Sequence, residues 1–147
     1  MDPLHLLTED HEKVKKLLEE LDSTTADASD RRRQLFSQIR REMEIHETIE
    51  EEILYPALKS HAEAKEVVLE GYEEHHVVDT IMAELDDLSF EDETWGAKLS
   101  VMKENIEHHI EEEEEEMFVK ARELLEEAEL EGLGDRMAAR KKELQGS

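Results

Sequence analysis

The chain of 147 residues contains no cysteine, which excludes disulfides, thiolate nucleophiles, iron–sulfur clusters and thiolate zinc sites together. Any metal it binds must take nitrogen and oxygen donors. Glycine (5), proline (2) and aromatic residues (4%) are scarce, so the turn and packing chemistry of a sheet protein is missing and long amphipathic helices are expected. Positive charge is also short: 18 Lys and Arg stand against 42 Asp and Glu, for a formal net charge of −24. Such a surface repels phosphate backbones and anionic lipid, which argues against nucleic acid and membranes as partners and leaves small cations and small ligands. No apolar run nears the roughly 18 residues of a membrane span, and the opening MDPLHLLTEDHEKVKK lacks a basic segment followed by an apolar stretch. A cytoplasmic location is expected.

What the sequence does have is helical periodicity. Leu4, Leu7, Val14, Leu18 and Leu21 predict a helix over about 3–22, ended by the polar stretch DSTTADASD. Leu35, Ile39, Met43, Ile49 and Ile53 predict a second over about 30–60, which Pro56 should kink or end. Val68, Tyr72, Val78, Met82 and Leu85 predict a third over about 62–88. A fourth opens near Asp92 or Thr94, carries Leu99, Met102, Ile106 and Met117, and runs to about 129, where ELEGLGDR supplies two glycines as a stop. A short fifth helix is expected over about 133–145. The fold class is therefore all-α: an antiparallel up-down-up-down four-helix bundle over about 3–129 with a helical tail over about 131–147, one domain across 1–147. Trp95, near the start of the fourth helix, is expected to anchor packing at the end of the bundle.

Each apolar stripe, followed by steps of three or four, meets polar residues that must point inward. The first passes through His11, the second through His46 and Glu50, the third through His75, and the fourth through His109 and Glu113. A buried ionised carboxylate without compensation is severely unfavourable, and an unpartnered imidazole costs roughly 1–3 kcal/mol. No Lys or Arg occupies the inner registers near Glu50 and Glu113, so four imidazoles and two carboxylates satisfy one another only in part. Six such donors exceed one tetrahedral zinc site and suit two metals sharing carboxylates, with iron, manganese or zinc as candidates.

The chain also repeats. HEKVKKLLEEL from 11 to 21 aligns with HHVVDTIMAEL from 75 to 85, and HETIEEEILY from 46 to 55 aligns with HIEEEEEEMF from 109 to 118. His11 pairs with His75, His46 with His109, Glu50 with Glu113 and Tyr55 with Phe118, so two copies of one helical hairpin each contribute His, His and Glu. Tyr55 and Phe118 are read as paired end-caps of the core. A ferritin-like site would need two Glu-x-x-His motifs, and Glu73 to His76 is the one spacing that fits; a haem held between histidines would leave the glutamates unexplained.

These residues together resemble the hemerythrin-like (HHE cation-binding) family: a histidine early in the first helix, H-x-x-x-E followed by EEILYP in the second, EEHH in the third, and H-x-x-x-E ending in EEMF in the fourth. The tail ELEGLGDRMAARKKELQGS is similar to those of actinobacterial, especially mycobacterial, members. The resemblance implies two non-haem iron ions bridged by carboxylates and an oxo or hydroxo group, held by His11, His46, Glu50, His75, His109 and Glu113. Oxygen-carrying members have a further histidine where this chain has Asp79, and a longer spacing in the fourth helix that would select Glu114 rather than Glu113. These departures favour oxidised iron that reacts with peroxide or NO over reversible oxygen carriage. The implied function is a di-iron protein binding or reacting with oxygen species, most concretely decomposing hydrogen peroxide; the alternative is binding or sensing of O2, NO or iron without turnover. Tyr72, Glu47 and Asp79 are possible additional ligands, Tyr72 being expected mainly to pack. His76 and His108 are either supports of the ligands or solvent-exposed, and His5 and His61 are expected at the surface. Small ligands (O2, H2O2, NO) are the expected partners, and the chain is expected to be a monomer, with a weak dimer as the alternative.

Overall fold

The computed structural model describes residues 1–146, and every regular element in them is helical. Helix α1 spans Pro3–Asp22. Helix α2 runs Ser29–Ile49, passes through a π turn at Glu50–Leu54 and continues over Tyr55–Lys59. Helix α3 spans Ala62–Asp87. Helix α4 runs Glu93–Glu112, through a π turn at Glu113–Met117, to Phe118–Leu124. Helix α5 spans Glu127–Gln145. The first four form the up-down-up-down bundle, and α5 packs back along α1 and α2. Among the described residues no helix is long and apolar enough to cross a membrane.

The starts follow from local chemistry. Asp2 accepts the Leu4 backbone N–H at 3.0 Å and Pro3 opens α1, where its missing N–H costs nothing. Asp92 caps α4 by accepting the Thr94 N–H at 2.8 Å. Trp95 is fully buried at that end as expected; its Nε1–H donates to Leu85 O at 3.3 Å, Phe36 meets it edge-on, and the Arg32 guanidinium lies 4.8 Å over the ring.

Three expectations change. Pro56 does not end the second helix, which continues to Lys59, and the irregularity precedes it. The π turn, in which the Tyr55 N–H reaches Glu50 O, is matched in α4 by Phe118 N–H to Glu113 O, where no proline is near. Proline is therefore not the cause. The fourth helix stops at Leu124 rather than about 129, because Leu125 and Glu126 take extended backbone. The last helix accordingly begins at Glu127 rather than 133, is 19 residues long, and contains both glycines that were read as its boundary. Gly134 is required by close approach: a Cβ there would collide with the Met1 carbonyl oxygen. Of the tail expected over 131–147, Ser147 lies outside the described residues.

The apolar interior forms two clusters rather than one. Leu4, Leu7, Ile49, Leu54, Leu58, Val68, Met117, Leu133 and Met137 fill one end. Val14, Leu18, Leu35, Ile39, Val78, Leu85, Leu99, Met102 and Ile106 fill the other. The inward histidines and glutamates lie on the helices between the two sets.

Candidate metal centre

All six inward residues are buried, at 0–4% exposure: His11, His46, Glu50, His75, His109 and Glu113. They converge as two overlapping groups, His11, His46, Glu50 and Glu113 in one and His75, His109, Glu50 and Glu113 in the other, each with donor atoms within 4.8 Å of one another. The two glutamates belong to both groups and the histidines divide between them. That is the topology expected of carboxylates shared by two cations.

The imidazoles are aimed by an outer ring of carboxylates. Nδ1 of His11 lies 2.7 Å from Glu114, Nδ1 of His46 3.1 Å from Asp10, Nδ1 of His75 2.7 Å from Glu51, and Nδ1 of His109 2.7 Å from Glu74. An ionised carboxylate only accepts, so each Nδ1 carries the hydrogen and donates it. In a neutral ring the Nε2 lone pair is then left facing the interior, the arrangement by which second partners orient metal-binding histidines. Inside, His11 Nε2 and His46 Nε2 stand 3.2 Å apart, His11 Nε2 lies 3.1 Å from Glu113 and His75 Nε2 3.1 Å from Glu50. Glu50 Oε2 is buried with no hydrogen-bond partner, and His109 Nε2 makes no hydrogen bond although Glu113 Oε2 lies 3.2 Å away. Converging imidazole nitrogens and unpartnered polar atoms in a buried layer are what a cation resolves, so the residues fit a metal site.

The electrostatics agree. Burial works against a charged imidazole, yet Glu50, Asp10 and Glu113 hold His46 well above its ordinary value. Burial is likewise overcome at His75, where Glu50 and Glu51 push the ring up to about 9, and at His109, which Glu113 and Glu74 hold well above the usual range. Glu113, pushed up by burial, is nonetheless held well below the usual carboxylate range by Glu50, His109 and His11. The layer thus draws positive charge to itself, whether as protons on nitrogen or as a cation.

The remaining candidates separate cleanly. Glu114 holds His11 from outside, so the inward carboxylate of α4 is Glu113. Tyr72 is half-buried and packs edge-on against Tyr55, ring centroids 5.1 Å apart. Asp79 is exposed. Glu47 is buried at 6% beside the layer with Oε1 unpartnered; burial first, then Asp79 and Glu50 against the opposing pull of His75, pushes its carboxyl up to about 9. His76 and His108 are exposed, the latter 3.2 Å from Glu112, and His5 is exposed beside Glu9. His61 is half-buried at the start of α3.

Tyr55 is a correction. It is not an end-cap: its hydroxyl donates to Glu113 Oε2 at 2.9 Å and lies 3.4 Å from His75 Nε2, and its ring stacks on His75 at 5.5 Å. The π turn produces this, because closing Tyr55 N–H onto Glu50 O keeps residue 55 on the same face as residue 50. Gly71 on α3 makes room for the ring, since a Cβ there would fall 2.9 Å from the hydroxyl. Burial, then Glu113 and Glu50, push the phenol well above its usual range, so it remains a donor. Phe118 at the equivalent place stacks on His11 at 5.9 Å, with no hydroxyl to offer. Asp10, Glu51 and Glu74 were also missed, as was Lys141 of α5, whose ammonium is 2.5 Å from Asp10 and helps hold that carboxyl below its ordinary value against burial. The repeat carried a signal for all four outer carboxylates: Asp10 and Glu74 each precede the paired histidines, and Glu51 follows Glu50 as Glu114 follows Glu113.

The family model described as hemerythrin HHE cation binding domain matches residues 2–121. Among solved structures, a hemerythrin HHE cation binding domain-containing protein from Mycobacterium kansasii is similar, with 28% identity and a TM-score of 0.88 over 99% of this chain and 88% of that one. No curated protein matches.

Proposed function

Because this chain belongs to the hemerythrin HHE cation-binding domain family, we propose that its buried layer is a non-haem di-iron centre that reacts with oxygen species, with hydrogen peroxide the most concrete substrate. The observation that carries the reading is the set of four imidazoles, each held at Nδ1 by an outer carboxylate and turned inward around two shared glutamates. On it, His11 and His46 would hold one iron and His75 and His109 the other, with Glu50 and Glu113 available to both. When bound, an iron pair supplies Lewis acidity and one-electron redox capacity.

The chain's own residues do the rest. The apolar ends exclude bulk water from the layer. The outer carboxylates raise the basicity of the imidazoles, and two histidines per metal with shared carboxylates make a hard donor set that favours the ferric state. Tyr55 keeps its proton at Oη on the His75 side and donates it to Glu113 Oε2, which steadies that carboxylate. The overall conversion of two H2O2 to two H2O and one O2 balances without an outside reductant.

The test adds peroxide to iron-loaded protein and to a His46→Ala variant and records oxygen evolution. Rates at least about 100-fold above the variant are expected from removing a metal ligand; equal, near-background rates defeat turnover. The full burial of the layer then favours a second reading, in which a small neutral ligand such as O2 or NO is held or sensed without turnover, recognised by a change in the absorption of the reduced protein on adding NO. Both readings place the working unit in the whole chain, 1–147, as one domain in the cytoplasm.

A further inference from the structure

Beside the layer, but outside it, three more carboxyl groups line one depression. Glu47 follows His46 on α2, Glu51 lies one turn on, and Asp79 lies one turn after His75 on α3. All three line a depression of about 280 Å³ between α2 and α3. Glu51 and Asp79 also border a neighbouring one of about 380 Å³ that reaches His75. Arg40, at the rim of the first, is engaged with Asp86 at 2.9 Å and Glu44 at 3.4 Å. Glu47 is 6% exposed and its Oε1, buried at the floor, has no partner. Donor atoms of Glu47, Glu51 and His75 lie within 4.8 Å of one another.

The repeat supplies an internal control. Glu47 corresponds to Ile110, which is buried at 3% in the apolar core, and Asp79 corresponds to Lys15. An apolar residue therefore serves the fold at this register, and the other half places a cation where this half places Asp79. A buried carboxyl group with an orphaned oxygen is unfavourable in either protonation state, and packing does not require it here.

We propose that Glu47, Glu51 and Asp79 form a separate, solvent-reachable site for a divalent cation, through which metal reaches the buried layer on the His75 side. The inference rests on the reading of that layer as a metal centre. Three carboxylates are hard oxygen donors suited to Fe²⁺ or Mn²⁺ that keep some of their water. Two of the three face solvent, so the ion exchanges. His75 connects this site to the layer: its Nδ1 is on Glu51 and its Nε2 on Glu50. The net charge of −24 draws cations to the surface as a whole.

The test titrates iron-loaded protein with Mn²⁺ at about 0.15 M salt, where diffuse surface attraction is screened, counting bound Mn²⁺ by electron paramagnetic resonance. One extra Mn²⁺ per chain is expected, weakened at least tenfold by Asp79→Asn and unaffected by Glu66→Gln, which removes an exposed charge from the same helix. No extra Mn²⁺, or equal affinities in the two variants, overturns the site. Fe²⁺ uptake by metal-free protein should be slowed several-fold by Asp79→Asn with the same final stoichiometry; an unchanged rate overturns the passage. Iron analysis of the starting material is separate: fewer than two irons per chain counts against the layer as a di-iron centre, and because vacant layer positions would also take Mn²⁺, the outer site is then judged by the loss of one Mn²⁺ in Asp79→Asn relative to Glu66→Gln.

Discussion

The half built on His11 and His46 and the half built on His75 and His109 share a backbone device and an outer ring, yet differ in the side chains around them. Both place the shared glutamate at the first residue of a π turn, stack an aromatic ring on a histidine, and hold each Nδ1 with a carboxylate. One half has Phe118, Ile110 and Lys15 where the other has Tyr55, Glu47 and Asp79. One outer carboxylate, Asp10, is tied to Lys141; its counterpart Glu74 lies instead near His108 and Glu112. What repeats is what would hold cations; what differs adds a hydroxyl and carboxylates on the His75 side, so chemistry and exchange are expected to be lopsided.

The largest effects should come from the groups the halves share. Glu50→Gln and Glu113→Gln should each disturb both metals and lower iron below one per chain by elemental analysis, while Glu111→Gln, on the exposed face of the same run, should retain wild-type iron. Unequal losses between the first two would break the symmetry. Next, His46→Ala and His109→Ala should each lose one iron and keep one; loss of both from either would mean that the halves do not bind independently. Removing an outer partner should act less: Asp10→Ala and Glu74→Ala are expected to weaken iron binding about 10–100-fold, seen in competition with a chelator, with Lys141→Ala shifting only the His46 half and by less than Asp10→Ala. The smallest change tests the asymmetry itself. Tyr55→Phe leaves Glu113 one donor short at a cost of about 1–2 kcal/mol, a melting shift of roughly 2–4 °C per kcal/mol. It should also slow peroxide turnover, whereas Phe118→Leu should leave the rate nearly intact.

Helix positions, the apolar stripes and the inward direction of all six polar residues were legible, because helical spacing fixes which side chains share a face. The repeat gave the pairing of the halves. Tyr55 was not legible: counting by three and four assumes unbroken α geometry, and the slip from an i+4 to an i+5 hydrogen bond after Glu50 leaves no mark in composition. Pro56 pointed toward an irregularity but not its cause, since α4 has the same turn without proline. The end of α4 was misplaced because two glycines looked like a stop, while the break came at Leu125 and Glu126 and Gly134 was needed for contact with Met1. Glu51, Glu74 and Glu114 were hidden in acidic runs in which one residue faces inward, its neighbour braces a ring and the others meet water. HHIEEEEEEMF holds all three kinds.

Each π turn amounts to one residue more than a regular helix would use over the same length. The turn absorbs that residue locally, so the segments beyond it, from Leu58 in α2 and Ala121 in α4 onward, keep the phase of a regular helix and stay in the core. Deleting one exposed residue, Glu52 or Glu115, would therefore let Tyr55 or Phe118 close onto the same carbonyl as an ordinary α-helical turn, with Leu58 or Ala121 still facing inward. Length at these two points is a looser requirement than residue identity: a chain shortened by one there would keep its packing, whereas loss of Glu51 or Glu114 would leave an imidazole unheld.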